Sequence, residues 1–196
     1  MIKEVYEALP EELKKKKSLR RVSEDTTKVE VMIDSSLEVI SFDDFSKIYA
    51  RKFKIPGQPK TNDALYVTEE GKWIFIEFKN GSLKPQDIYR KIYDSLIMLN
   101  EMGIVDWTFC RENTSYILVY NEEKYNENLP GLQESEQRSK LQRRIRQRGN
   151  TVRNLYEIKK LKGYLFEETN TYTEEEFRHY FVEKYEKIER ESENVH

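Results

Sequence analysis

The stretch Lys72 to Lys79, reading Lys-Trp-Ile-Phe-Ile-Glu-Phe-Lys, restricts the fold more than any other part of the chain. Successive side chains of a strand point to opposite faces, so Trp73 and Phe75 project one way while Ile74, Ile76 and Phe78 project the other. A strand apolar on both faces has to lie inside a sheet that is covered on both sides, which points to an α/β architecture.

The flanking segments fit that strand. Ala64 to Thr68 is a second strand, and Glu70-Gly71 supplies the turn of a hairpin between the two. Before it, Ser41 stands as a helix N-cap with Asp44 at the capping-box position and Ile40 and Phe45 at staple spacing, so a helix is expected over 42–53. Pro56, Gly57 and Pro59 end it. After the hairpin, Pro85 opens a helix whose apolar positions Ile88, Ile92, Leu96 and Leu99 recur at helical spacing up to Gly103. Val29, Val31 and Ile33 alternate as in a short strand, and Ile104–Cys110 and Tyr116–Tyr120 read as two further strands. The expected core order is helix, strand, strand, helix, strand, strand.

Composition divides the chain into a charged arm over 1–28, a core over 29–121 and a charged extension over 122–196 with helices near 133–148, 151–161 and 174–191. Thr173 with Glu176 makes a full capping box for the last of these. Charged residues reach 36% of the chain, but 13 Tyr, 9 Phe and 2 Trp supply buried surface that a disordered chain lacks. The lone Cys110 excludes an intramolecular disulfide, and with His179 and His196 as the only histidines there is no zinc cluster. No run approaches the ~18 apolar residues of a membrane span, and Met1–Leu9 lacks the apolar core of a secretion signal. A cytoplasmic protein without membrane contact is expected. The net charge of −2 gives no whole-chain attraction for nucleic acid, so any such contact needs a local basic cluster.

Glu77 and Lys79 share one face at the end of the apolar strand, where unpaired charges are costly. Asp63 opens the preceding strand, and antiparallel pairing brings the start of one strand beside the end of the next. Two carboxylates held together repel and invite a hard divalent cation such as Mg²⁺. Such an ion lowers the pKa of bound water and polarises a phosphoryl oxygen, while a lysine orients the water or stabilises developing negative charge. The plain alternative is a strand end emerging into solvent with an ordinary ion pair.

Asp63, the hairpin, Ile76-Glu77-Phe78-Lys79 and the following helix resemble the PD-(D/E)xK nuclease superfamily over roughly residues 37 to 121. The resemblance implies a restriction-endonuclease-like mixed central sheet flanked by helices, here with a helical C-terminal extension. It implies Asp63 and Glu77 as ligands of Mg²⁺ or Mn²⁺ and Lys79 as the residue serving the attacking water. It points secondarily to an acid of the first core helix, from Glu38, Asp43 or Asp44, and to Lys84, Gln86, Asp87 and Lys91 on or before the following helix. Asn62 stands where the pattern has proline. The bare triplet is unspecific: Glu12, Glu70, Glu122 and Glu157 also have lysine two residues on, but only Glu77 lies in an apolar strand behind a suitably spaced Asp.

Arg138, Lys140, Arg143, Arg144, Arg146, Arg148 and Arg153 could grip a phosphate backbone, or could form a solvated helix face. The expected function is therefore a metal-dependent nuclease acting on DNA ahead of RNA, with a homodimer as one possible assembly. Its rival is a nuclease-like fold without turnover that binds a protein or nucleic acid, as an immunity or defence-system partner does.

Overall fold

The apolar strand is the centre of a six-stranded mixed sheet. The computed structural model describes residues 9, 11, 14, 16–25, 30–81, 85–127 and 155–193. The strands are β1 Lys16–Ser18, β2 Glu24–Asp25, β3 Glu30–Val31, β4 Glu38–Ser41, β5 Ala64–Val67, β6 Trp73–Lys79, β7 Thr114–Tyr120 and β8 Glu168–Thr173. The large sheet has the order β1-β4-β5-β6-β7-β8, and β2 and β3 form a separate ribbon. Pairing is antiparallel from β1 through β6 and parallel from β6 to β7 and from β7 to β8. Trp73 to Phe78 are all buried, as a central strand with two apolar faces requires.

Helices cover both faces. Helix α2 (Phe42–Phe53), α3 (Pro85–Glu101) and α4 (Trp107–Asn113) pack with Leu65, Trp73, Phe75, Tyr116 and Leu118 in one core. On the other face, α1 (Leu19–Val22) and the C-terminal helix close over Ala64, Tyr66, Ile74, Ile76, Phe78, Ile117 and Val119. That last helix comprises α6 (Glu174–Phe177), a π-helical turn Arg178–Val182 and α7 (Glu183–Glu193). Phe181 meets Tyr66 edge-on with ring centres 5.4 Å apart, and Phe177 meets Phe78 at 5.8 Å. A short α5 (Glu122–Glu127) and a 3-10 helix Leu155–Leu161 complete the described elements.

The hairpin, the helix over 42–53 and the helix from Pro85 stand where the sequence places them. In the turn, Gly71 adopts φ 83° and donates its N–H to the Thr68 carbonyl at 2.8 Å, a conformation that favours glycine. Ser41 is extended, as a cap should be, but its side chain makes no cap hydrogen bond, and Asp44 pairs instead with Lys17 and Lys47.

Four expectations are corrected. Ile104–Cys110 is not a strand: the Asp106 carboxylate accepts from the Phe109 N–H at 2.7 Å and starts α4, part of the crossover that parallel strands β6 and β7 need. The strand around Val31 is two residues long and pairs with β2, outside the main sheet. Lys16–Ser18, inside the charged arm, is the edge strand β1, with Leu19 fully buried after it. The C-terminal segment contributes a strand as well as helices, because β8 runs parallel to β7 with Thr169 and Thr171 buried. The helix expected near 133–148 lies outside the described residues.

Candidate active site

The β5–β6 register builds the site. Ala64 pairs with Ile76, so the preceding Asp63 comes beside Glu77. Backbone bonds hold Asp63 in place: its N–H donates to Ile76 O at 3.1 Å, and its carbonyl accepts from Phe42 N at 3.2 Å. Its Oδ2 accepts from the Phe78 N–H at 2.7 Å, which leaves Oδ1 turned towards Glu77 and α3.

Glu77 is fully buried in the central strand. Lys79, two residues on and on the same face, pairs with its Oε1 and is largely buried itself. Lys91 of α3 reaches down to the same point, with Nζ 2.7 Å from Glu77 Oε1 and 2.9 Å from Asp63 Oδ1. Three predicted residues and one secondary candidate thus converge. Lys91 moves to the centre of the site: helical spacing brings it onto the face that covers the strand end, a placement the strand motif does not contain.

Burial pushes the Glu77 carboxyl up to about 7, and Asp63 adds to the rise, while Lys91 and Lys79 offset part of it. For Lys91 burial opposes the charge, but the attraction of Asp63 and Glu77 outweighs it and holds the ammonium above its ordinary range. The two directions agree: Lys91 stays protonated, yet its attraction does not cover the cost of desolvating Glu77. Glu77 Oε2 has no hydrogen-bond partner although it is buried. On the same sheet face the Tyr116 hydroxyl is also buried without a partner; burial, with Glu77 and Asp63 nearby, raises its pKa well above the ordinary value, so it keeps its proton.

Beside this cluster, Asn62 and Ser95 are fully buried, and the Asn62 N–H donates to Ser95 Oγ at 3.0 Å. Asp43 lies one step further out, accepting from Thr61 Oγ1 at 3.1 Å. The remaining candidates are placed differently. Asp44 is engaged with Lys17 and Lys47. Glu38 lines a cleft with Glu69 and Gly71, at the turn end of the hairpin and away from Asp63. Gln86 and Asp87 are exposed on the first turn of α3. Lys84 and the basic residues Arg138, Lys140, Arg143, Arg144, Arg146, Arg148 and Arg153 lie outside the described residues.

Ser95 and Tyr116 were not singled out as site residues by the sequence. The available signal for Ser95 was a small polar residue inside the apolar stripe Ile88, Ile92, Leu96, Leu99. Asp63 and Glu77 are hard oxygen donors, and the buried, unpartnered Oε2 is an acceptor to which a cation could add, so the pair fits Mg²⁺ or Mn²⁺. Among the described residues no group of three or more His, Cys, Asp or Glu side chains forms a metal cluster. A cation here would rest on two carboxylates and water, as Mg²⁺ commonly does.

The fold and site define a mixed α/β protein with a buried Asp-Glu-Lys-Lys cluster at the end of its central strand. Neither the family models, nor the curated proteins, nor the solved structures contain a match to the chain. No helix among the described residues is long and apolar enough to cross a membrane.

Proposed function

We propose that this protein is a divalent-metal-dependent nuclease of the PD-(D/E)xK kind, with a restriction-endonuclease-like core that hydrolyses phosphodiester bonds of DNA ahead of RNA. The observation that carries this reading is the meeting of Asp63, Glu77 and Lys79 at one strand end, with Glu77 Oε2 buried and unpartnered. Asp63 and Glu77 are the residues that would hold Mg²⁺ or Mn²⁺. When bound, the ion supplies an acidified water and a polarised phosphoryl oxygen. Lys79 stands beside Glu77, where it orients the attacking water or stabilises charge developing on the phosphate. The desolvation around Glu77 strengthens each of these interactions. Arg138, Lys140, Arg143, Arg144, Arg146 and Arg148 are the proposed backbone contacts, and cutting both strands of a duplex would call for two copies of the chain.

The test is cleavage of plasmid, linear duplex, single-stranded DNA and RNA with Mg²⁺, Mn²⁺ or EDTA. Cutting that needs the metal and falls about a hundredfold or more in Lys79→Ala is the expected result. Full metal-dependent cleavage by both Glu77→Ala and Lys79→Ala would remove the assignment.

One observation favours a second reading, a nuclease-like fold that binds without turnover. Two ammonium groups already contact the two carboxylates, so each carboxylate has a cationic partner without an added ion. Stoichiometric association with a protein or nucleic acid that survives Asp63→Ala, together with no cleavage of any substrate, is the outcome that distinguishes it.

A further inference from the structure

We propose that Lys91 is an internal counter-cation: it bridges Asp63 and Glu77 while no divalent ion is present, and it leaves both carboxylates when the ion binds. The inference rests on the reading of Asp63 and Glu77 as metal ligands, and adds to it a residue that competes with the metal.

Geometry supports the bridge. One ammonium contacts Asp63 Oδ1 at 2.9 Å and Glu77 Oε1 at 2.7 Å, so carboxylates from two different strands share a single cation. Charge supports the exchange. Asp63 and Glu77 already have Lys79 and Lys91 as cationic partners, and a dication added to that set would leave at least two uncompensated positive charges in a largely buried site. One cation has to go, and Lys91 is the one with an exit. Its side chain keeps 20% of its surface exposed, against 13% for Lys79, which follows Glu77 on the same rigid strand. Asp87 lies one helical turn before Lys91 on the same stripe of α3 and is exposed. An acid four residues N-terminal to a lysine is the favourable orientation for a helix pair, so Asp87 offers the displaced ammonium a second partner. Glu77 has no such freedom, being fully buried between β5 and β7.

The experiment measures Mn²⁺ binding to the full chain by calorimetry and by loss of the free-ion electron paramagnetic resonance signal, for wild type, Lys91→Met and Lys91→Gln. Both variants are expected to bind at least tenfold more tightly than wild type, and Mn²⁺ is expected to raise their melting temperatures by more. If Lys91→Met folds only with Mn²⁺ present, that too supports the exchange, and Lys91→Gln then supplies the affinity. A crystal structure of the wild type with Mn²⁺ should place the ion against Asp63 and Glu77 with Lys91 Nζ out of contact with both. Equal or weaker binding by both variants, or Mn²⁺ bound while Lys91 still bridges the carboxylates, overturns the inference and leaves the metal site standing. No Mn²⁺ binding by any of the three proteins overturns the inference and the metal-dependent reading together.

Discussion

At the scale of single residues, Glu77 makes the sharpest prediction. Burial pushes its carboxyl up from the ordinary 4.5 to about 7 in the folded chain. Between those values the folded state holds the extra proton, so stability falls as pH rises through that window. Glu77→Gln lacks this slope. The stability of wild type relative to Glu77→Gln should therefore decline by up to roughly 3 kcal/mol between pH 4.5 and 8 in EDTA, by urea unfolding. A difference flat with pH would mean the carboxyl is ionised throughout. Cys110 gives an independent check on burial: its thiol is pushed up to about 12, first by desolvation and then by Asp106. It should resist a thiol reagent at pH 8 in the native protein and react stoichiometrically in denaturant.

At the scale of elements, helix ends carry the readable energetics. The capping box at the C-terminal helix is complete: Thr173 Oγ1 accepts from the Glu176 N–H at 3.1 Å, and the Glu176 carboxylate accepts from the Thr173 N–H at 2.8 Å. Thr173→Ala should cost about 1 kcal/mol in chemical denaturation. Helix α2 ends on Lys54 at φ 53°, a left-handed conformation that a β-carbon disfavours. Lys54→Gly should accordingly stabilise the protein by about 1 kcal/mol, and a loss of stability would show that the lysine side chain has a role outweighing the strain. The capping box was legible because it lies within four residues of sequence. The Asp106 cap is hidden in the sequence, because the apolar run Ile104 to Cys110 gives a stronger strand signal than one aspartate gives for a helix.

At the scale of the whole molecule, the C-terminal helix is part of the core. Phe177, Phe181, Val182 and Tyr185 cover one face of the sheet, including Tyr66, Ile76 and Phe78 of the hairpin that carries the site. Phe177→Ala alone should cost about 3–5 kcal/mol, a large share of the 5–15 kcal/mol typical of a domain. A chain shortened after Thr173 exposes that face and should lose its cooperative thermal transition in calorimetry. A sharp transition retained by the shortened chain would show that the sheet stands without this cover.

Neighbours along the chain enforce the part of the structure that is legible without it. The hairpin, its glycine turn, the helix over 42–53 and the convergence of Asp63, Glu77 and Lys79 all follow from two-residue and helical periodicities and from the antiparallel return of the chain. The rest depends on partners far apart in the chain. Strand β8 reads Glu-Thr-Asn-Thr-Tyr-Thr, with no apolar face to announce it, and becomes a strand because β7 offers it a ladder of backbone groups. Lys91 is one lysine among several around the start of α3 until packing lowers that helix onto the sheet and brings its ammonium between two carboxylates. The bridge that this one ammonium makes between Asp63 and Glu77 exists only once those two separate elements are in contact.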